Sequence, residues 1–460
     1  MPNTIGLDAE RIAGLLSAER ARFSDANPRS RDLGRRTAAH WLHGVPMHWM
    51  ADWGTPFPLF VARATGNRIT DADGHDLIDF CLGDTGAMFG HSPPAVADAV
   101  VAQVRRGLTT MLPAKDAAIV GSLLAERFGL PFWQVTATAS DANRSVLRWA
   151  RGITGRPKIL VFNGCYHGAV DDVFVALENG AARNRRGLVG ETRDLAASSV
   201  VIEFNDLEAL RVALAGREVA CVLAEPVMTN CAMVLPEPGF HSEMRKLTRA
   251  AGTLLVIDET HTISSAASGY TGSHGLEPDF FVLGKPIAGG IPAAVYGWSN
   301  EVDVRIRKLL AEKEPGYSGI GTTLSGSALQ LAAMRAVLEH LLTPETYAAA
   351  MPVAEHLENG IADRIARYRL PWQVVRVGLR CEILTAPVRP RNGAEANLIA
   401  HGPAEQFLHL YCLNRGVLIT PFHNMLLVCP ATTQGDITLL LHVLEGAFAA
   451  LSGAPRPETV

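Results

Sequence analysis

The sequence predicts an α/β protein built on a doubly wound, mostly parallel sheet. Three observations carry this. Six continuous apolar runs of about six residues recur between positions 133 and 298, as in strands covered on both faces. Helical patterns separate most of them, the order that parallel crossovers require. The composition, 48% hydrophobic and 19% charged over 460 residues, is enough to bury such a sheet.

Residues 1 to about 55 read as one or two helices and then a loop containing Trp49, Met50, Trp53 and Pro56. The stretch FPLFVARATGNRITDADGHDLIDF is two short apolar runs broken by Gly-Asn and Asp-Gly turn signals, which predicts an antiparallel hairpin. From Ser92 an amphipathic helix (PAVADAVVAQVRR) and a second helix near 115–128 lead into the apolar runs. These are WQVTATA (133–139), KILVFNG (158–164), VACVLAEP (219–226), LLVIDET (254–260), FFVLGK (280–285) and AAVYGW (293–298). The long helix SGSALQLAAMRAVLEHLL follows, and beyond it helices mix with strands such as VVRVGLRCEIL and MLLVCP. The expected division is 1–90 for an N-terminal segment and part of a small domain, 91–335 for the large domain, and 336–460 for a C-terminal α+β small domain.

The formal charge is −4, from 42 Lys plus Arg against 46 Asp plus Glu, which gives no electrostatic case for nucleic acid or an acidic membrane. Seven scattered cysteines without a C-x-x-C pair argue against disulfides and a cysteine-based zinc site, and no metal is expected. The N-terminal sequence has neither signal-peptide nor transit-peptide character, so a cytoplasmic location is expected.

Lysine is the most informative residue type. Only six occur, and arginine supplies the other 36 positive charges. Lys285 closes the run FFVLG and enters the loop PIAGGIP, at the carboxyl end of a strand, where open α/β sheets bind ligands. A lysine partly desolvated there presents an amine that can form an imine with an aldehyde. Asp258 and Glu259 end the preceding strand, 27 and 26 residues upstream, and neighbours on a strand face opposite ways, so one of them points into the same crevice. If Lys285 holds pyridoxal phosphate, that carboxylate keeps the pyridine nitrogen protonated, and Asp258 suits the role. The segment TATASDAN offers an anion site: Ser140 can cap the following helix, and the N–H groups of Ser140, Asp141 and Ala142 lie at its positive end. Tyr166, in NGCYHGAV, can stack on a planar ring, and Glu225, in AEPV, can reach the ring's hydroxyl region or orient its neighbours. Each has a plainer reading: Lys285 as a loop lysine facing water, Asp258 as a helix cap, the Ser140 segment as an ordinary strand–helix junction, Tyr166 as packing, Glu225 as a loop acid.

Together these residues resemble the class III pyridoxal-phosphate aminotransferases, including glutamate-1-semialdehyde aminomutase and the β-amino-acid and amine transaminases. The resemblance spans roughly 60–445 and is carried in order by DADGHDLIDF, GHSPPAVADAV, ASDAN, NGCYHG, AEPV, VIDET, LGKPIAGGIP and GTTLSG. It implies the PLP-dependent transferase fold type I and pyridoxal 5'-phosphate as cofactor. It further implies that Lys285 is the Schiff-base lysine, that Asp258 partners the ring nitrogen, that Tyr166 stacks on the ring, and that Glu225 is the acid of the family's Glu-Pro. Thr138, Ala139 and Ser140 align with the phosphate loop, and Thr323 resembles the threonine that reaches the phosphate of the neighbouring subunit in a homodimer with shared active sites. Ala139 replaces the usual glycine, Asp141 the usual Glu, Ser327-Ala328 the common Asn-Pro, and His261 a position more often Gln or Met.

The implied reaction is ping-pong transfer of an amino group between an amino acid or amine donor and a 2-oxo acid acceptor. An aminomutase or epimerase of the same family is the alternative. For a substrate carboxylate, Arg376 and Arg380, four apart on one expected strand and hence on one face, are candidates. Asp84 and Met88 are expected to line the substrate pocket.

Overall fold

The computed structural model describes residues 7–191, 193–399, 402–421 and 424–455. The chain divides into two compact units, one formed by Met1–Pro93, Glu345–Arg389 and Ile399–Val460, the other by Pro94–Pro344 and Pro390–Leu398.

The second unit carries a seven-stranded sheet in the spatial order Phe132–Thr136, Ala294–Trp298, Phe280–Leu283, Leu254–Asp258, Val219–Ala224, Lys158–Phe162, Ser199–Ile202. Ala294–Trp298 runs against the common direction of the other six strands. Every residue of Val219–Ala224, Leu254–Asp258, Phe280–Leu283 and Ala294–Trp298 is buried, as continuous apolar runs require when both faces are covered. Each fully buried Val, Leu, Ile or Phe there contributes roughly 1.5–3 kcal/mol over exposure. The helix Ala139–Thr154 starts on Thr138 and stops at Gly155, whose φ of 67° is one that glycine adopts without steric cost.

Three details differ from the sequence-based expectation. The edge strand Ser199–Ile202 was not foreseen; it pairs on one side only and is too short and too plain to separate from a loop. The run WQVTATA is strand only to Thr136. The two runs near residue 60 form three antiparallel strands, Val61–Thr65, Arg68–Asp71 and Asp76–Asp79, because each turn signal reverses the chain once.

Those three strands belong to the first unit, where Val417–Leu418 joins them in parallel. A second sheet pairs Gln373–Val377, Arg380–Leu384 and Met425–Leu427, all antiparallel. Helices Ala9–Ala26, Pro28–Thr37, Pro344–Arg367 (from Glu345 on), Pro403–Leu413 and Gln434–Ser452 belong to the unit. The last is long and apolar enough by composition to cross a membrane, but 61% of its most apolar window is buried inside the fold, as in a core helix.

Candidate active site

The carboxyl ends of the parallel strands in the second unit gather the reactive groups. Strand Phe280–Leu283 ends at Gly284, and Lys285 opens a short turn with φ 47°, a left-handed conformation that costs a non-glycine residue roughly 1–2 kcal/mol. That strain aims the side chain back over the sheet end, where Lys285 Nζ meets His261 Nε2. The turn also sits against the helix start: a Cβ on Gly284 would lie 2.8 Å from the Cβ of Ala139, so only glycine permits this approach.

The helix beginning at Ala139 is capped by Thr138, not by Ser140. Thr138 Oγ1 accepts from Asp141 N at 3.2 Å, and Thr138 O accepts from Ala142 N at 3.1 Å. Both residues carry a hydroxyl, and the pattern alone does not say which stands at the extended N-cap position that Thr138 occupies (ψ 159°). The outward N–H groups are therefore those of Ala139 and Ser140. Ser140 Oγ accepts from Ala169 N at 2.9 Å, an approach that needs Gly168, where a Cβ would come within 2.1 Å of that oxygen.

Asp258 is the acid of the pair that serves this edge. Its Oδ2 accepts from Asn143 Nδ2 at 2.9 Å and pairs with His167 Nδ1 at 3.0 Å, while its Oδ1 accepts from Thr260 N at 3.1 Å and Thr260 Oγ1 at 2.6 Å. Asp258 caps no helix. Burial opposes its charge, but the His167 pair and these donors prevail and hold the carboxyl below its ordinary range. The same contact pushes His167 up against the desolvation that would lower it. Glu259 turns away and accepts from Thr262 Oγ1, Tyr270 N and Thr271 N.

Glu225 is buried beside this group. Its Oε2 accepts from Thr229 Oγ1 at 2.5 Å; Thr229 Oγ1 lies 2.6 Å from His261 Nδ1, and Asn230 Nδ2 lies 3.1 Å from the same nitrogen. Burial pushes the Glu225 carboxyl up to about 7, against the lowering pull of His167 and Thr229. An acid whose folded pKa is raised stabilises the fold below its ordinary value near 4.5 and loses that contribution as pH climbs through about 7. Hence Glu225→Gln is expected to remove a pH-dependent loss of about 3 kcal/mol. Urea unfolding of the cofactor-stripped protein at pH 5 and pH 8 measures it; equal pH sensitivity in variant and wild type would refute it.

Tyr166 lies in the loop after Lys158–Phe162, half exposed. Thr323 is exposed in the loop before helix Ala328–His340. In the first unit, Arg376 and Arg380 stand on two antiparallel strands rather than one, because Gly378, at φ 62°, turns the chain between them. The register pairs Val377 with Arg380 and Arg376 with Cys381, so the two arginines face opposite ways. Arg376 is committed to Glu358 at 2.7 Å and Glu355 at 3.6 Å. Arg380 is buried, donates to Thr85 Oγ1 and lies 3.5 Å from an Asp84 carboxylate oxygen. Met88 is fully buried and presents no open face to a ligand.

Asn143, Thr229 and Asn230 are site residues that the sequence did not single out. Asn143 lies inside ASDAN and Thr229 four residues after Glu225, but their partners are 115 and 32 residues away.

The residues fit pyridoxal phosphate. A buried ionised carboxylate suits a protonated ring nitrogen, two outward N–H groups at a helix start suit a phosphate, and Lys285 supplies the amine. Asn143 Oδ1, His167 Nε2 and Glu225 Oε1 are buried without a hydrogen-bond partner among the described residues, as expected around a polar guest. Among the described residues no cluster of His, Cys, Asp or Glu could hold a metal ion.

The family description aminotransferase class-III matches residues 49–445. The chain is 33% identical over 409 residues to a glutamate-1-semialdehyde 2,1-aminomutase of Chloroflexus aggregans, covering 86% of this chain and 91% of the relative. A glutamate-1-semialdehyde aminomutase of Pseudomonas aeruginosa PAO1, solved in complex with PMP, superposes with a TM-score of 0.94 at 50% identity over 97% of this chain and all of that one. A β-phenylalanine aminotransferase of Variovorax paradoxus superposes with a TM-score of 0.84 at 27% identity, covering 95% and 97%. The fold is accordingly the type I fold of pyridoxal-phosphate enzymes, and the chain belongs to the class-III aminotransferase family, with pyridoxal 5'-phosphate as its cofactor.

Proposed function

We propose that the protein is an aminomutase, moving an amino group between adjacent carbons of a glutamate-1-semialdehyde-like substrate. The likeness to the Pseudomonas aeruginosa aminomutase, 50% identical over nearly the whole chain, carries this reading above transfer between two separate substrates. The expectation of a two-substrate aminotransferase is thereby displaced to second place; the weaker likeness to the β-phenylalanine aminotransferase supports it.

Bound pyridoxal phosphate supplies an electron-accepting ring that makes a proton on the substrate carbon removable. The chain supplies the rest. Lys285 Nζ anchors the cofactor and moves the proton at the substrate carbon. Asp258, fixed by His167 and Asn143, holds a proton on the ring nitrogen. The N–H groups of Ala139 and Ser140, with Thr138 as cap, hold the phosphate, while Tyr166 covers the ring.

We infer a cytoplasmic homodimer in which Thr323 completes the phosphate site of the partner subunit. Leu108, Met111, Leu112, Tyr317 and Leu324 are exposed apolar residues of the second unit, which supports burial against another copy.

The test is conversion of glutamate-1-semialdehyde to the isomer carrying its amino group on carbon 1, followed by NMR with no 2-oxo acid added. Turnover under these conditions supports the aminomutase. An absolute requirement for a 2-oxo acid, with release of free oxo product, overturns it in favour of the aminotransferase.

A further inference from the structure

His261 is the departure from the family pattern that lies nearest the reacting amine. It is buried, as are Thr229 and Glu225. Their contacts run in one line: Lys285 Nζ to His261 Nε2, His261 Nδ1 to Thr229 Oγ1, and Thr229 Oγ1 to Glu225 Oε2. A threonine hydroxyl has one proton and gives it to one neighbour only. When Thr229 donates to an ionised Glu225, it accepts from a protonated His261 Nδ1, and His261 Nε2 is then the acceptor for Lys285. When Glu225 is protonated, every bond reverses, and His261 Nε2–H faces a neutral lysine amine. Asn230 fits both states, since its amide can present either its NH2 or its oxygen to Nδ1.

The geometry points to a proton relay in which His261 and Thr229 carry the proton of the Lys285 ammonium to Glu225. One proton passes from Lys285 Nζ to His261 Nε2 as the Nδ1 proton passes to Thr229 Oγ1 and the hydroxyl proton to Glu225 Oε2. Lys285 ends neutral and Glu225 ends as a carboxylic acid, with no co-reactant. His261 and Thr229 are thus positioning residues acting through Lys285. The inference rests on the reading of Lys285 as the cofactor lysine. Of the other ionisable groups, His167, on the loop after Lys158–Phe162, favours an ionised Glu225, and Asp258, at the end of Leu254–Asp258, opposes it.

Trace acetylation of the cofactor-stripped, full-length protein with acetic anhydride across pH 6–10, mapped by peptide mass spectrometry, reads the neutral fraction of each lysine. Lys158, Lys246 and Lys308 are paired with acids near the surface and act as internal controls. Thr229→Val keeps the shape and cuts the line. It is expected to slow the labelling of Lys285 about tenfold near pH 7.5, with the controls unmoved. His261→Gln is expected to do the same, and Thr229→Ser to restore the wild-type profile. Wild-type profiles in both Thr229→Val and His261→Gln overturn the relay; if Thr229→Val does not fold, His261→Gln and Glu225→Gln carry the comparison. A purely structural role would change folding or occupancy and leave the labelling of Lys285 relative to the controls unchanged. Borohydride reduction of the reconstituted wild type separates the two levels: cofactor fixed to Lys285 upholds the reading beneath the relay, and none fixed there overturns that reading and the relay with it.

Discussion

Lys285→Ala is expected to abolish the near-visible absorbance of the cofactor-loaded protein and to lower turnover by at least about 10^4-fold. Two roles vanish at once: the covalent anchor and the base that moves the substrate proton, the second alone typically worth roughly 10^2–10^4-fold. Noncovalent binding of the cofactor should persist, because the helix start at Ala139 and the Asp258 carboxylate are untouched. The backbone adds an independent check. With φ at 47°, residue 285 is strained with any side chain, so Lys285→Gly should be more stable than Lys285→Ala by about 1 kcal/mol in urea unfolding without cofactor. Equal stability of the two variants would mean that the turn is not left-handed. A Lys285→Ala protein with wild-type turnover would remove the lysine from the chemistry.

How much of this was legible follows from the range of the interactions. The strand ends at Asp258 and just before Lys285 could be read because a buried strand announces itself over five or six consecutive residues, and such ends fall at a ligand-binding edge. Failures arose where a single residue decides. Gly378 turns one expected strand into two and sends Arg376 away from Arg380; a glycine inside an apolar run is compatible with either outcome until the pairing partner is known. Thr138 and Ser140 compete for one cap. What periodicity cannot reach at all is the support around Asp258: Asn143 and His167 stand 115 and 91 residues away, and their convergence is a property of the sheet order. His261 stood out in the sequence as a departure, but its contact with Lys285, 24 residues on, appears only when two neighbouring strands are paired.

Asp258→Asn separates what the carboxylate does for the fold from what it does for the reaction. In the wild type, burial of His167 and Asp258 is tolerated because each charge answers the other. Asparagine keeps the shape, but its single side-chain oxygen can accept from Asn143 or from Thr260 and not from both, and it leaves His167 facing a neutral group. Breaking a buried pair of this kind costs about 3–5 kcal/mol, unless the imidazole gives up its proton. That exception predicts the pH dependence. His167 has its folded pKa raised, so its contribution is complete below the ordinary value of 6.5 and is lost as pH rises through the folded value. Asp258 has its folded pKa lowered, so its contribution is complete above 3.8 and is lost as pH falls. The stability gap between wild type and Asp258→Asn is therefore widest between pH 3.8 and 6.5 and narrows on the alkaline side, which urea unfolding of the stripped proteins at pH 5.5 and pH 9.5 would register. A gap constant across that interval would mean that the pair is not ionised. In the loaded enzyme, the variant should keep its cofactor on Lys285 while turnover falls roughly 10^2–10^3-fold, the scale for losing one preorganised electrostatic partner. Unchanged turnover would assign the ring nitrogen to another acid. Glu259 is turned onto Thr262, Tyr270 and Thr271, and burial pushes Glu225 toward its neutral form, so Asp258, the carboxyl held ionised at this sheet edge, is the acid that this experiment tests.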